Sequence, residues 1–267
     1  MRPKAYLVSY TKFELGDFLS FLGAQKLSWK RSPGASEAEE IVEAAGRVCY
    51  MSFGEKQSPK GNAEYIRHLI LMGHESVLEH VSWGFILTGV SRGFSHQLVR
   101  HRVGFAFSQL SQQYHEETDA EFVDPPLELP PQARAAWDKA LHAARDAYGE
   151  ILKSLRDLES RGGDAGLEKR EILRAIRSTA RGVLPNATET KIFVTANARA
   201  LRHFFNVRGS IPGDLEMRQV ASEVLRLVKS VAPSLFFDFE VEIMQDGSPK
   251  VVRKSEAYLS STINQGI

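Results

Sequence analysis

Strand and helix patterns do not alternate regularly along this chain of 267 residues. Two runs rich in β-forming residues, 81–90 and 188–196, are separated by a long segment with helical periodicity. A further run, 237–243, alternates apolar and acidic side chains as a half-buried strand does. Repeated strand–helix units favour a parallel sheet, so their absence predicts an α+β fold in which an antiparallel sheet packs against long helices.

The length of the chain and its hydrophobic content of 43% allow one large domain. We expect a single domain over residues 1–267 with a helical insertion at about 132–181. Within that insertion, Gly162-Gly163 should separate a long helix from a shorter one. An apolar run at 5–8 predicts an edge strand near the start.

Short polar motifs mark the expected helix starts. Ser36 and Glu39 have the spacing of a capping box, in which each side chain bonds the other residue's backbone N–H. Ser76 to Glu79 has the same spacing and predicts a second capping box. We expect Ser91 to cap a helix that ends near Arg102, and Asn197 to cap another helix.

The balance of charge limits the classes of partner. Lysine and arginine number 34 against 33 aspartate and glutamate residues, so no bulk field attracts nucleic acid or a membrane. The start of the chain lacks the apolar run of a signal peptide, and no stretch reaches the roughly 20 apolar residues of a membrane span. These patterns predict a cytoplasmic protein without nucleic-acid or membrane partners.

Cys49 is the single cysteine of the chain. An intrachain disulfide and a cysteine-based metal cluster are therefore excluded. A lone cysteine can act as a nucleophile or fill a small buried space, and nothing beside Cys49 indicates an activated thiol. We expect a small buried side chain.

The tripeptide Arg100-His101-Arg102 places two permanent cations around an imidazole where a helix is expected to end. A guanidinium grips phosphate oxygens in pairs, so the tripeptide could contact two adjacent anionic groups, such as a substrate phosphate and a cofactor pyrophosphate. Alternatively, the cations satisfy the last carbonyls of the helix. The polar run at 108–114 supplies amides and hydroxyls, which suit a nucleotide.

Two further clusters carry histidine. His74 and His80 are six residues apart, which on a helix separates them by about 240°, so a shared metal ion is not expected. Arg199, His203 and Asn206 are spaced i, i+4 and i+7 and therefore share a helical face. That face is either a solvated surface or a second contact with an anionic ligand.

These blocks together resemble the flavin-dependent thymidylate synthases, also described as thymidylate synthase complementing proteins. The signature of that family is Arg-His-Arg, seven further residues and serine, and Arg100-His101-Arg102 matches its start. The resemblance runs in the family's order through four more blocks, at 73–80, 108–112, 181–185 and 197–208.

The resemblance implies a chemical reaction and its cofactors. Members convert dUMP to dTMP, methylenetetrahydrofolate supplies the carbon, and FAD reduced by NADPH supplies the hydride. The family is described as a homotetramer with active sites shared between subunits. Some relatives methylate UMP instead, which we keep as the alternative. A non-catalytic nucleotide- or RNA-binding module is a further alternative, against which the near-zero net charge counts.

The resemblance also implies a set of site residues and no metal. Arg208 would be catalytic, because a cation at the uracil ring stabilises negative charge and makes C5 a better nucleophile. His74 would lie on the side where folate and nicotinamide enter. The dUMP-binding set would be Gln97, Arg100, Gln109, Leu110, Ser111, Gln112, Gln113, Arg181 and Arg208. The FAD-binding set would be Ser76, Glu79, Arg100, His101, Arg102, Gln109, Asn197, Arg199 and His203.

Four departures from the family pattern lie on the nucleotide side. Eight residues separate Arg102 from Ser111, so Leu110 stands where the signature has serine, and we expect a bulge within 103–107 to absorb the difference. Gln97 stands where many members have glutamate, and Gln113 stands where many have arginine. The stretch 210–213 is unlike the family's usual sequence.

Overall fold

The computed structural model describes residues 1–161 and 166–254. A four-stranded sheet has the order β1-β2-β4-β3. Its strands are β1 (Lys4–Tyr10), β2 (Ser82–Ser91), β3 (Phe105–Gln109) and β4 (Glu189–Asn197). Strand β1 lies at the edge of this sheet, as the sequence predicts. A second, two-stranded sheet pairs β5 (Phe239–Ile243) antiparallel with β6 (Pro249–Arg253).

Helices make up most of the remaining structure. They are α1 (Leu15–Ala24), α2 (Glu37–Tyr50), α3 (Asn62–Leu71), α4 (Arg92–Leu98), α5 (Pro131–Arg161), α6 (Gly166–Ala180), α7 (Ala198–Arg208) and α8 (Leu215–Val231). Short 3-10 helices lie at Gly54–Lys56, Glu75–His80, Arg181–Val183 and Pro233–Phe236. The predicted α+β class is confirmed. The predicted break at Gly162-Gly163 lies outside the described residues.

The chain divides into two compact units, each discontinuous in sequence. The first unit contains Met1–Lys4, Leu87–Arg100 and Phe107–Phe193. The second unit contains Ala5–Ile86, His101–Ala106 and the described residues from Val194 onward. The assignment of residues 1–267 to one domain stays a prediction.

The core of the first unit is built by the long helix α5 and its neighbour α6. Tyr148 and Leu152 of α5 pack with Ile176 and Ala180 of α6. Burial of each large apolar side chain contributes about 1.5–3 kcal/mol, which explains why the helical period of this segment is so clear in the sequence. The hydroxyl of Tyr148 accepts a hydrogen bond from the backbone N–H of Glu117 at 2.9 Å, so its polar end is also satisfied.

The core of the second unit combines aromatic packing with a buried ion pair. The ring of Phe205 lies 5.8 Å from that of Phe236 and 5.7 Å from that of Phe239. Arg202 donates two hydrogen bonds to Asp238, at 2.7 and 2.8 Å. The alternating pattern at 237–243 predicts that Asp238 faces solvent, and this prediction is wrong, because Arg202 and Arg253 both pair with the carboxylate and allow it to be buried.

Three of the predicted helix caps are confirmed. The side chain of Ser36 accepts a hydrogen bond from the N–H of Glu39, and both halves of the capping box are present. Ser91 caps α4 by accepting from Phe94, and Asn197 caps α7 by accepting from Ala200 at 2.8 Å. These caps depend on residues three positions apart, which explains why the local sequence reveals them.

Three local predictions are wrong. Helix α4 ends at Leu98 instead of near Arg102, because the chain tightens into a turn in which Arg100 N–H bonds to the carbonyl of Gln97. The 3-10 helix Glu75–His80 has no side-chain cap, since Ser76 lies inside it and the carboxylate of Glu79 pairs with Arg199 instead. Cys49 is exposed, because it lies on the outer side of the last turn of α2.

Within 1–161 and 166–254, no helix combines the length and apolar content needed to cross a membrane.

Candidate functional site

The segment that follows α4 is fixed by a glycine. Gly104 has a φ of +72°, and a Cβ atom at this position would lie 2.7 Å from Asn197 Nδ2 and 2.8 Å from Ala200 Cβ. Its carbonyl accepts the backbone N–H of Asn197 at 3.1 Å. The structure has a tight turn at Val103-Gly104 that leads into β3, and the bulge expected within 103–107 stays a prediction. A left-handed glycine makes this turn possible where a larger residue would clash.

His101 is the central residue of a small aromatic cluster in the second unit. Its ring centroid lies 5.3 Å from that of Phe204, 5.8 Å from Phe105 and 6.2 Å from His203. Arg208 Nε donates a hydrogen bond to His101 Nε2 at 3.2 Å. Burial lowers the pKa of His101 from its ordinary value of 6.5, and the charges of Arg208 and His203 lower it further. The neutral imidazole therefore accepts at Nε2 and carries its proton at Nδ1.

The start of α7 packs against the 3-10 helix Glu75–His80, and both belong to the second unit. Arg199 Nη1 contacts Glu79 Oε1 at 2.6 Å, and its Nε lies 3.8 Å from Glu75 Oε2. Arg202 Nε lies 3.8 Å from the other oxygen of Glu75. Glu79 and Arg199, which the resemblance assigns to the flavin set, are thus brought together, and Asn197 of the same set caps α7.

The remaining members of the flavin set in the second unit are exposed or half-buried polar groups. Ser76, Arg102 and His203 are exposed, and His101 is half-buried. His74 is also exposed, immediately before the 3-10 helix. A surface that presents guanidinium, imidazole, amide and hydroxyl groups has the donors that a pyrophosphate requires.

Most residues of the nucleotide set lie in the first unit, where their hydrogen bonds fix strand β3 and the loop after it. Gln109 donates to Ser95 Oγ at 2.9 Å and to Thr190 Oγ1 at 3.2 Å. Gln113 donates to Ser178 Oγ at 2.9 Å.

The loop beyond β3 is held by its backbone as well. Leu110 accepts a hydrogen bond from Arg92 Nη2 at 2.8 Å through its carbonyl. Ser111 Oγ accepts from the backbone N–H of Gln113 at 3.3 Å. The amide of Gln113 is therefore engaged inside the protein, at a position where many family members carry an arginine.

A cavity of about 340 Å³ opens beside this loop. Its lining includes six side chains that can donate hydrogen bonds, and these are Arg92, His96, Gln112, Ser178, Arg181 and Asn186. Arg92 Nε is buried and has no hydrogen-bond partner among the described residues, and the side chain of Gln112 lies beside the carboxylate of Glu117. Burial lowers the pKa of Arg92, the carboxylate of Glu117 opposes this, and the charge of Arg181 adds to it. Two cations and several uncharged donors around one cavity favour an anion-binding site.

The structure separates the predicted nucleotide residues by location. Gln112 and Arg181 line the cavity, whereas Gln97 and Arg100 are exposed and are not part of its lining. Sequence reasoning missed Arg92, His96 and Ser178. Arg92 and His96 are four residues apart on α4 and therefore lie on the same face of that helix. The same spacing places Arg199 and His203 on one face of α7, so the sequence contained this signal.

No group of three or more histidine, cysteine, aspartate or glutamate side chains is arranged to hold a metal ion in the part of the chain that the structure describes. His101 and His203, although close, are accompanied by an arginine and by phenylalanine rings. These groups suit an organic anion better than a divalent cation.

Comparison with known proteins gives a consistent result. The model of the thymidylate synthase complementing protein family matches residues 34–234. A flavin-dependent thymidylate synthase from Mycolicibacterium gilvum (strain PYR-GCK) is 46% identical over 220 residues, which cover 81% of this chain and 86% of that protein. The flavin-dependent thymidylate synthase of Mycobacterium marinum (strain ATCC BAA-535 / M) is 44% identical over 231 residues, which cover 85% of this chain and 89% of that protein.

Proposed function

The chain belongs to the thymidylate synthase complementing protein family, and on that premise we propose that it methylates dUMP at C5 to give dTMP. In this reaction methylenetetrahydrofolate provides the carbon, and FAD, once reduced by NADPH, supplies the hydride. The names of the curated relatives support flavin dependence. The observation that carries the substrate proposal is the cavity whose lining includes the cations Arg92 and Arg181.

The phosphate of the nucleotide fits this cavity chemically. Arg92 and Arg181 supply positive charge, and Gln112 and Ser178 supply uncharged donors. Two guanidinium groups can neutralise a phosphate dianion and bind its oxygens in pairs. We propose that Arg181 and Gln112 bind the phosphate and that Arg92, which the loop carbonyl of Leu110 already orients, completes the site.

The donors of the second unit fit FAD. Arg102, Arg199 and His203 are exposed, and Asn197 is half-buried at the start of α7. We propose that these residues, with His101, Ser76 and Glu79, hold the pyrophosphate and neighbouring polar groups of FAD. Arg100 and Gln109 are proposed members of both ligand sets, and His74 is proposed to border the entry of folate and nicotinamide.

Arg208 is the proposed catalytic residue. Its guanidinium can donate to a uracil carbonyl oxygen and stabilise the negative charge that builds up as C5 becomes nucleophilic. This role requires no covalent cysteine adduct. Cys49, the single cysteine of the chain, is an exposed residue of α2.

UMP is the second candidate substrate. The observation that favours it is the engaged side chain of Gln113, which donates to Ser178 and leaves the loop without the arginine common in the family. Such a change in the nucleotide loop can accompany a change of nucleotide. Turnover of UMP and dUMP at equal concentrations distinguishes the two candidates.

A homotetramer with shared sites stays part of the proposal, as does a cytoplasmic location. Support for self-association comes from the edge strand β1, where Tyr6 and Tyr10 are exposed to 49% and 67%. An edge strand has unpaired backbone groups that can pair with another chain. Analytical ultracentrifugation measures the mass of the assembly directly.

One experiment tests the proposed function. The purified protein is incubated with FAD, NADPH, methylenetetrahydrofolate and dUMP, and its visible spectrum and the nucleotide products are recorded. We expect flavin absorbance that stays with the protein and dTMP that forms only when all components are present. A colourless protein that acquires no flavin, or one that binds flavin but methylates no uridylate, would refute the proposal.

A further inference from the structure

We propose that Ser95 and Thr190 are positioning residues that fix the carboxamide of Gln109, so that this side chain offers the nucleotide a hydrogen-bond acceptor and never a donor. The inference rests on the proposed function, because Gln109 belongs to the proposed nucleotide set. It adds two residues that act through the glutamine, and it names the polarity of the group that the site requires on the nucleotide.

Three elements of the first unit meet at the side chain of Gln109. Gln109 is the last residue of β3, Ser95 lies on α4, and Thr190 lies on the neighbouring strand β4. Gln109 Nε2 donates to Ser95 Oγ at 2.9 Å and to Thr190 Oγ1 at 3.2 Å. Both N–H groups of the carboxamide are therefore engaged inside the protein.

The hydrogen bond that Ser95 itself donates fixes the direction of this contact. Ser95 Oγ gives its single proton to the backbone carbonyl of Arg92 at 3.0 Å, so it can only accept from Gln109. An acceptor at this position selects the nitrogen of the carboxamide and excludes its oxygen. A flipped carboxamide would face an oxygen whose proton is already used, and the observed orientation is therefore the favoured one.

Burial keeps the carboxamide in this orientation. Ser95 and Thr190 are fully buried, whereas Gln109 is half-buried. A buried hydroxyl has no water with which to replace a lost partner, so a flip of the carboxamide costs hydrogen bonds that are not regained. Among the described residues only Nε2 of Gln109 is engaged, which leaves Oε1 available as an acceptor.

A fixed acceptor selects nucleotides by the donors that they carry. Uracil has a donor at N3–H and the sugar has hydroxyl donors, whereas N3 of cytosine carries no proton and is an acceptor. Two acceptors held against each other stay unsatisfied, and a site rejects such a mismatch more strongly than a missing apolar contact. The site therefore takes a nucleotide that presents a donor to Gln109, either the ring N3–H or a sugar hydroxyl.

Two substitutions free the carboxamide without changing Gln109. Ser95→Ala and Thr190→Val each remove one acceptor of Nε2, and the double variant removes both. Thr190→Ser keeps the hydroxyl and should behave as wild type.

Isothermal titration calorimetry compares dUMP with two analogues. The first is dCMP, in which N3 is an acceptor, and the second is 2′,3′-dideoxyuridine 5′-phosphate, which lacks the sugar hydroxyl. We expect the wild type to bind dUMP more tightly than at least one of them. The corresponding ratio of dissociation constants should fall by about ten-fold in the double variant, because the freed carboxamide no longer holds its oxygen toward the ligand. The ratio that falls identifies the donor that Gln109 binds.

Ser222→Ala is the matched control. Ser222 is also fully buried and donates to a backbone carbonyl of its own helix, that of Arg218 at 2.8 Å, but it lies on α8 in the second unit. We expect this variant to leave both ratios unchanged. Gln109→Leu completes a double-mutant cycle: in its background Ser95→Ala should change neither ratio, since the serine acts through the glutamine.

The inference fails on any of three outcomes. The first is a wild type that binds dUMP no more tightly than either analogue. The second is a pair of unchanged ratios in folded single and double variants, which would show that Ser95 and Thr190 only hold β3 in place. The third is an equal effect of Ser95→Ala with and without Gln109. Calorimetry needs neither folate nor NADPH, so ratios that respond as expected in a protein that forms no dTMP would refute the proposed function alone.

Discussion

The carbonyl oxygen of Gly104 accepts a hydrogen bond from the backbone N–H of Asn197 at 3.1 Å. This bond connects the turn after Arg102 to the N-cap residue of α7. The absence of a Cβ at Gly104 permits this approach, since a Cβ would lie 2.7 Å from the side-chain nitrogen Nδ2 of Asn197. The side chain of Asn197 caps α7, so one residue fixes both the loop and the helix.

Gly104→Ala should therefore destabilise the protein more than a left-handed conformation alone explains. A left-handed alanine costs about 1–2 kcal/mol, and the collision with Asn197 adds to that cost. Gly213→Ala is the matched control, because Gly213 has a φ of +76° and open space around it. Urea unfolding of both variants measures the difference. Equal losses of unfolding free energy would show that the approach to Asn197 is unimportant.

Removal of Arg202 should be among the most destabilising single changes in the second unit. The bidentate pair with Asp238 is buried, and a buried carboxylate without its partner costs about 3–5 kcal/mol. We expect Arg202→Met to lose free energy of unfolding in that range. Arg226→Met, which breaks an exposed pair with Glu223, should lose less than about 1 kcal/mol. Denaturant midpoints of similar size for the two variants would contradict this ranking.

Acid should weaken the same pair in a defined direction. Burial alone raises the pKa of Asp238, but the hydrogen bonds and charges of Arg202 and Arg253 outweigh it, and the net pKa lies below 3.8. A carboxyl group with a lowered folded-state pKa stabilises the fold above its unfolded pKa and loses that contribution as pH falls through the folded value. The free energy of unfolding of the wild type should therefore fall below about pH 4 more steeply than that of Asp238→Asn.

Arg181 should contribute to nucleotide binding through the phosphate. Arg181→Gln is expected to weaken dUMP binding by about ten- to a hundred-fold and to leave FAD binding unchanged, because a charged hydrogen bond contributes about 1.5–3 kcal/mol. Deoxyuridine, which lacks the phosphate, should bind the variant and the wild type alike. Arg174→Gln on α6 is the control, since Arg174 stacks over Tyr114 and is not among the residues that line the cavity. Calorimetry with each ligand measures these affinities.

Arg208→Ala should abolish methylation while flavin stays bound. Loss of a group that stabilises charge at the reacting ring costs about a hundred- to a thousand-fold in kcat. The visible spectrum reports bound FAD, and single-turnover product analysis reports the chemical step. A variant that turns over dUMP at the wild-type rate disproves the catalytic role.

The sequence predicts best those features that depend on neighbouring residues. Ser36, Ser91 and Asn197 cap helices through contacts three positions along the chain, and all three were found. The amphipathic period of α5 and α6 is equally local, because one face of each helix packs into the same core. The family-specific blocks predict guanidinium and amide side chains as anion ligands, because a guanidinium binds phosphate oxygens in pairs.

What the sequence does not predict depends on partners far along the chain. Asp238 has the pattern of a solvated strand residue, and only Arg202, 36 positions away, makes its burial possible. Glu79 has capping-box spacing, but Arg199, 120 positions away, takes its carboxylate. The role of Arg92 in the cavity depends on Leu110 and Arg181, which the sequence does not place beside it.

The exposed position of Cys49 at the end of α2 allows a spin label to be attached without any mutation. A maleimide carrying a nitroxide attaches at this one site, because the chain has a single thiol. Every subunit of an assembly then contributes one spin, and pulsed dipolar measurements count the subunits and give the distances between them. The quaternary arrangement can thus be measured on the unmutated sequence, with and without nucleotide.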